Sequence, residues 1–469
     1  MEAKMDEKLQ AKLEAEQTVK ELVAKARAAQ KEFEKCDQAQ VDEACRLIAK
    51  AIFDNAEPLA RMAVDETRMG VYEDKVKKNQ GKARVIWNDM KGGKSVGIIG
   101  REPEKGLVLV AKPMGVVGAV TPTTNPIVTP MCNAMFALKG RNAIIICPHP
   151  RSKKCSAEAV RLMKEALKAL DYVPQDIIQI IEAPTVDLSG QVMKQCDVCI
   201  STGGMGMVRA AYASGKPAFG VGAGNVQCMI DEGVDLDKVV PMIVEGRRFD
   251  NGIICSGEQT AITPKSVFPA MIEAFRRNGA IYVDRPEDVQ KLRDVVFPGG
   301  VIDKNVVGKS AKYVAEACGF EAPEDLKVIL VKADHPGAGE VLSKEKMCPL
   351  IATYDDLPDW EACIAAADAN LAVEGRGHSV CIHSENTERI EQAAERLPVS
   401  RFLIGQICAT NNGGSFFNSL SATTTLGCGS WGNNSISENL SWRHLFNVSR
   451  IAYVRPGSVM PTDDEIWGK

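Results

Sequence analysis

The chain has no uninterrupted apolar stretch of about 18 residues, the length a helix needs to cross a bilayer, and no basic segment followed by an apolar one at its N-terminus. It also lacks a charge excess. Lys and Arg number 57 against 61 Asp and Glu, and a net charge of −4 is too even for broad attraction to nucleic acid or anionic membrane. Histidine is scarce, with 5 in 469 residues, and no internal repeat or low-complexity tract is present. These absences predict a soluble, intracellular, cytoplasmic protein whose partners are small molecules.

Cysteine is plentiful. An odd count of 15, scattered without a repeating framework, cannot pair completely within one chain, so free thiols in a reducing compartment are expected. Cys196 and Cys199 have CxxC spacing, but no second pair or nearby histidine completes a zinc site, and no metal is expected.

With 45 % hydrophobic residues, the chain can fill two or three packed units. The first residues are rich in Ala, Glu, Lys and Gln, and Leu9, Leu13, Val19, Leu22 and Val23 fall near one helical stripe. This predicts a helical arm, either packed on its own domain or docking through residues 1–18 to a partner or shell, such as that of a bacterial microcompartment. From residue 106 onward short β-rich runs (106–112, 116–120, 142–147, 177–181, 197–201) alternate with helical stretches (127–138, 153–169, 186–195, 205–214). That alternation predicts an α/β fold with a parallel sheet covered on both faces, of the Rossmann type. Helices at 267–278, 286–294 and 357–369 and strands at 280–283 and 327–331 predict a second α/β domain beginning near residue 246. The run Arg450–Arg455 reads as an edge strand able to pair across subunits.

Cys255 lies in Phe249-Asp-Asn-Gly-Ile-Ile-Cys255-Ser-Gly-Glu-Gln259, an apolar segment between a glycine-containing turn and a polar run that reads as a helix start. A helix N-terminus lowers a thiol pKa, and the thiolate would be an aldehyde nucleophile. Thr202-Gly203-Gly204-Met205-Gly206 joins a strand to a helix through glycines, a nucleotide-compatible turn that lacks the GxGxxG pattern and is also compatible with a purely structural turn. A second cluster, Gly220-Val221-Gly222-Ala-Gly-Asn225, has the same permissive character. His149, Arg151, Ser152 and Lys153 follow a strand at the sheet's carboxyl end, where a ribose 2′-phosphate would suit them; NADP is expected ahead of NAD. His378, in a glycine-rich loop, is a candidate base or an exposed bystander.

Six runs in unbroken order then resemble the aldehyde dehydrogenase superfamily, in particular its coenzyme A-acylating branch: Thr121-Pro122-Thr-Thr-Asn125-Pro126, Ser201-Thr-Gly-Gly204, Phe249–Cys255, Glu345-Lys-Met-Cys-Pro349, Glu374-Gly-Arg-Gly-His378 and Leu426-Gly-Cys-Gly-Ser-Trp-Gly432. The likeness covers residues 20–455, and within the branch the acylating succinate-semialdehyde dehydrogenases are most similar, including the closing Asp464-Glu-Ile-Trp-Gly468. The resemblance implies an arm at 1–19, a cofactor domain at 20–245 with an oligomerisation hairpin near 95–112, a catalytic domain at 246–432, and a return to the first domain with an oligomerisation strand at 433–469 of a homodimer or homotetramer. It further implies that Cys255 attacks the aldehyde, that Asn125 and the Cys255 N–H hold the oxyanion, that His378 handles the coenzyme A proton, and that Glu345 touches the nicotinamide ribose. Thr121, Pro122, Thr202, Gly203, Gly204, Val221 and Gly222 would border the nicotinamide nucleotide.

Where hydrolytic members of that superfamily carry a glutamate, this chain has Val221, so water should attack the thioester slowly and a thiol such as coenzyme A should be the better acceptor. Arg248, Arg376, Arg401, Ser415 and Thr424 are candidate contacts for an anionic aldehyde. Succinate semialdehyde is the expected substrate, with sulfoacetaldehyde, acetaldehyde and propionaldehyde behind it. An acyl-phosphate reductase and a non-catalytic scaffold are the competing readings.

Overall fold

Two almost continuously apolar strands, Val116–Thr121 and Ala143–Pro148, are buried at every position, as strands covered by helices on both faces must be. In the computed structural model, which describes residues 2–455 and 457–468, they centre a five-stranded parallel sheet. Its order is Ile178–Ile180, Ala143–Pro148, Val116–Thr121, Val198–Thr202, Ala218–Val221. Chain order reverses between Val116–Thr121 and Val198–Thr202, so the loops after those two strands flank the crevice where such sheets take ligands.

A second sheet has seven parallel strands, in the order Ala280–Val283, Val328–Lys332, Leu350–Thr353, Glu258–Ile262, Val226–Ile230, Gly377–His383, Val399–Ile404. Val226–Ile230 is wholly buried and pairs with Glu258–Ile262, so this sheet takes in a strand ahead of the expected start at 246.

The hairpin Gly97–Glu102 and Leu107–Pro113 is joined on its second strand by Phe446–Ala452, all antiparallel. The C-terminal strand therefore starts and ends before the expected 450–455; Tyr453 still donates its N–H to the Gly106 carbonyl at 2.8 Å. Ile98, Ile451, Tyr453 and Val454 leave large apolar side chains exposed around this sheet.

The N-terminal arm is the start of one helix, Glu2–Phe33. Residue 1 and the side chains of residues 2–7, part of the expected docking segment, lie outside the described part. Ala15, Val19, Ala26, Ala29 and Phe33 are buried against the first unit, whereas Leu9 and Leu13 are 57 % and 53 % exposed. No helix among the described residues is long and apolar enough to cross a membrane.

Candidate active site

The segment leading to Cys255 takes a backbone path that residues with a side chain rarely follow. Asp250 and Asn251 are both left-handed, with φ of 51° and 53°. The helix Tyr72–Met90 holds them there: the buried Asp250 carboxylate accepts from the Val71 N–H at 2.9 Å, from Lys75 Nζ at 3.1 Å and from Lys78 Nζ, while Asp74 accepts the Asp250 N–H at 2.9 Å. Burial alone would raise the Asp250 pKa, but Lys78 and Lys75 outweigh it and hold the carboxyl below its ordinary range.

The chain then enters the strand Glu258–Ile262, not a helix. The expected helix dipole is absent because Glu258, Gln259 and Thr260 are buried in the centre of the second sheet, where the Glu258 carboxylate accepts the Cys408 N–H at 2.7 Å. Cys255 is consequently not a resting thiolate. Burial, then the charges of Glu345 and Cys428, push its pKa up to about 12, against the opposing pull of Arg401 and its own N–H. It is half-buried, while the other fourteen cysteines are buried.

Cys255 opens on a cavity of about 370 Å³ that Asn125 also lines. Lys78 Nζ donates to Asn125 Oδ1 at 3.0 Å, leaving the carboxamide NH₂, with only a 3.5 Å contact to Thr124 Oγ1, as the end that can donate to a substrate oxygen. Val221 packs with Leu426 and Cys428 against Cys255, so the side chain at that position is apolar and carries no proton acceptor. An added Cβ on Gly224 would stand 1.9 Å from the Cys255 carbonyl oxygen, which explains a glycine there. The Gly224 N–H also donates to Glu345 Oε1 at 3.3 Å. Burial, then neighbouring Glu374, raise Glu345 to about 8, against that N–H, Arg247 and Lys346.

His378 lies in the strand Gly377–His383, fully buried, not in the exposed loop its glycines suggested. Neither ring nitrogen has a hydrogen-bond partner, and burial with nearby Arg401 takes its pKa down to about 3, so the imidazole is neutral and a weak base; unlike Asn125, it does not line the Cys255 cavity, and the expected role on the coenzyme A proton is not supported by this placement.

Of the proposed anion contacts, Ser415 and Thr424 line the cavity and the three arginines do not. Arg401 is buried and donates to the carbonyls of Gly427 at 2.7 Å and His378 at 2.8 Å and to Ser379 and Asn439. Arg248 is paired with Glu245 at 2.7 Å, and Arg376 lies 3.8 Å from Asp368. The cations that do line the cavity are Lys77, Lys78 and Lys82. Lys75, Lys78 and Lys82 share one face of a helix at spacings of three and four, a pattern readable in the sequence but indistinguishable there from a solvated face.

On the cofactor side, Thr121 and Thr202 end the two strands at the switch point. Thr202 Oγ1 lies 3.1 Å from Thr425 Oγ1, and Pro122 follows Thr121 in the loop to Asn125. The residues fit a dinucleotide: the buried hydroxyls of Thr121 and Ser201 have no partner, and a Cβ on Gly203 or Gly204 would meet nothing, so packing within the chain does not require those glycines. A Cβ on Gly222 would stand 2.2 Å from Met205 Sδ, the far end of a flexible side chain that can move aside, so packing within the chain does not strictly require that glycine either. His149, Arg151 and Lys153 are exposed, but Ser152 is buried and its hydroxyl donates to the His149 carbonyl at 3.3 Å, which removes it as a ribose contact. Glu66, unnoticed in the sequence, accepts the N–H groups of Lys154 and Cys155 at 2.9 and 2.8 Å on the N-terminal turn of the helix Lys153–Leu167. Among the described residues, soft metal donors gather at Cys228, Cys381 and His383, buried in the second sheet and not lining the Cys255 cavity.

A family model described as "Aldehyde dehydrogenase family" matches residues 3–322. The chain is 51 % identical over 455 residues to a succinate-semialdehyde dehydrogenase (acetylating) of Clostridium kluyveri, covering 97 % of this chain and 99 % of that one. It is similar to the crystal structure of an acetylating aldehyde dehydrogenase from Geobacillus thermoglucosidasius, with a TM-score of 0.92 and 36 % identity over 97 % of this chain and 99 % of that one. A propionaldehyde dehydrogenase of Rhodopseudomonas palustris, solved with bound CoA and an acylated cysteine, matches with a TM-score of 0.83 and 26 % identity over 93 % of this chain and 97 % of that one. With a half-buried cysteine beside an amide donor at the mouth of a dinucleotide-type sheet, and with matches along nearly its whole length, the chain belongs to the aldehyde dehydrogenase family.

Proposed function

We propose that the protein is a coenzyme A-acylating aldehyde dehydrogenase that interconverts succinate semialdehyde and succinyl-CoA. One observation carries the acylating part: Val221, packed against Cys255, puts an apolar side chain where a hydrolytic enzyme needs a base to activate water. Cys255 Sγ bonds to the aldehyde carbon while its proton passes to solvent in the open cavity, and the Asn125 NH₂ and the Cys255 N–H donate to the oxyanion of the thiohemiacetal. A bound, oxidised nicotinamide nucleotide supplies the hydride acceptor. Loss of hydride leaves a Cys255 thioester; the coenzyme A sulfur then attacks it, its thiol proton passing through solvent to the departing Cys255 sulfur, and acyl-CoA forms. One thioester is exchanged for another, so the reaction runs in both directions.

The Clostridium kluyveri relative, named for succinate semialdehyde, supports the substrate, and the Rhodopseudomonas palustris structure with CoA and an acylated cysteine supports the co-substrate. The exposed cations Arg151 and Lys153 support NADP; NAD is the second reading, because Glu66 already accepts the amides at that helix start. The exposed apolar rim of the three-stranded sheet supports self-association as a dimer or tetramer, and exposed Leu9 and Leu13 support docking of the arm to a partner. Cytoplasm or microcompartment follows from that partner.

The test is kcat/KM with succinate semialdehyde, sulfoacetaldehyde and acetaldehyde in the presence of coenzyme A and either nucleotide. The expected result is at least about tenfold preference for succinate semialdehyde, the scale on which small substrate differences are discriminated. A higher value with acetaldehyde would overturn the substrate assignment.

A further inference from the structure

The cavity in front of Cys255 is walled largely by apolar groups, among them Val85, Val128, Phe249, Ile254 and Leu426. Three lysines of one helix also border it, and they are not equivalent. Lys77 is exposed and lies 3.8 Å from Asp74. Lys78 is paired with Asp250, which it shares with Lys75, and donates to Asn125. Lys82 has neither arrangement: its Nζ donates to the Gly413 carbonyl at 2.9 Å, and its electrostatic neighbours are the sulfurs of Cys132 and Cys255 and the ammonium of Lys78, with no carboxylate among them.

An ammonium has three protons to donate, and one is used here. A half-buried cation with no acid beside it is poorly compensated by one carbonyl, so the bond to Gly413 alone is a weak structural reason for a lysine here. Thr424 contributes a second hydroxyl beside the same cavity, buried and with the Cys132 thiol as its neighbour. Gly81, beside Lys82, also lines the cavity, and a Cβ there would meet nothing within 4 Å, so the wall is open at this point.

We infer that Lys82 is the residue that selects the substrate, its ammonium pairing with the terminal carboxylate of the aldehyde while the Thr424 hydroxyl donates to the same group. The inference rests on the proposed reaction with a carboxylated aldehyde and names what recognises that carboxylate. Cys255 and Asn125 take the aldehyde end, the short methylene chain lies against the apolar wall, and Lys82 takes the other end. The ion pair forms inside a partly dehydrated cavity, where it is stronger than in water and where a neutral aldehyde of equal length leaves the cation unmatched.

The experiment compares kcat/KM for succinate semialdehyde with that for butanal, which has the same number of carbons and no charge, in the parent protein, in Lys82→Met and in Lys82→Arg. In Lys82→Met the ratio of the two values should fall on the order of a hundredfold, mainly through KM for the charged aldehyde, the scale on which one partner of a desolvated ion pair is lost. Lys82→Arg should restore most of the ratio. A second arm needs no variant. Burial first, with Lys78 adding to it and Cys132 and Cys255 opposing, brings the Lys82 pKa down to about 8. The cation is present below that pH and lost above it, so in the parent the ratio should fall between about pH 7 and pH 9.5, effects on Cys255 cancelling because both substrates share it. A parent that prefers the charged aldehyde and keeps the preference within about threefold in Lys82→Met, or at all pH values should that variant not fold, overturns this inference alone. A parent with no preference for the charged aldehyde overturns the substrate assignment and this inference with it.

Discussion

Cys255→Ala protein should reduce no measurable nicotinamide nucleotide with aldehyde and coenzyme A, a loss of about 10⁵-fold or more in kcat, as when a covalent nucleophile is removed from other enzymes. The size follows from chemistry: without Sγ neither the thiohemiacetal nor the thioester can form, and no other thiol can substitute, because the remaining cysteines are buried. Burial pushes the resting thiol pKa up to about 12, so at a working pH of about 8 the thiol is overwhelmingly protonated. Reactivity therefore depends on groups that favour the anion locally, the Cys255 N–H and the buried Arg401, and not on a helix terminus. Nicotinamide reduction followed by absorbance, with mass spectrometry for an acyl adduct on intact protein, checks this. Residual activity in Cys255→Ala above a hundredth of the parent, or an adduct on another cysteine, would contradict it.

Asn125→Ala should lower kcat by about 10²–10³-fold, the usual consequence of removing one oxyanion donor, with a smaller change in KM. The loss is large because the donor is preorganised: Lys78 fixes the carboxamide by its oxygen, and Lys78 is itself held by the buried Asp250 in the left-handed turn that precedes Cys255. Asn125 and the turn leading to Cys255 are thus both tied to a single carboxylate. A kcat within tenfold of the parent in Asn125→Ala, measured with saturating aldehyde, would place the oxyanion elsewhere.

The first sheet was legible in the sequence because its strands are apolar runs separated by helical stretches. Val116–Thr121, Ala143–Pro148 and Val198–Thr202 fall within a residue or two of where their composition places them. The second sheet was legible only at Ala280–Val283 and Val328–Lys332, since Glu258–Ile262 begins with three polar residues and Gly377–His383 begins Gly-His-Ser, patterns that read as loop or helix start until burial is known. The same misreading put Cys255 at a helix terminus and His378 in an exposed loop.

At the site, order along the chain pointed to Cys255 and Asn125, which the fold brings to one cavity. It could not rank the cations. Arg401 looks like an anion contact in sequence yet is buried on backbone carbonyls, whereas Lys78 and Lys82 sit far upstream in a helix that resembles a solvated one. Cross-chain partners such as Asp250 for Lys78, or Glu66 for the helix start at Lys153, come from long-range folding and leave no local signal.

The most direct single measurement is a rapid-mixing burst with enzyme, nicotinamide nucleotide and succinate semialdehyde, with coenzyme A omitted and then added. With Val221 against Cys255 and no base to activate water, one equivalent of reduced nucleotide per active site should form, turnover should stop at the acyl-enzyme, and coenzyme A should restart it. Continued turnover without coenzyme A, at a rate comparable to that with it, would show that water reaches the thioester and that the enzyme is hydrolytic.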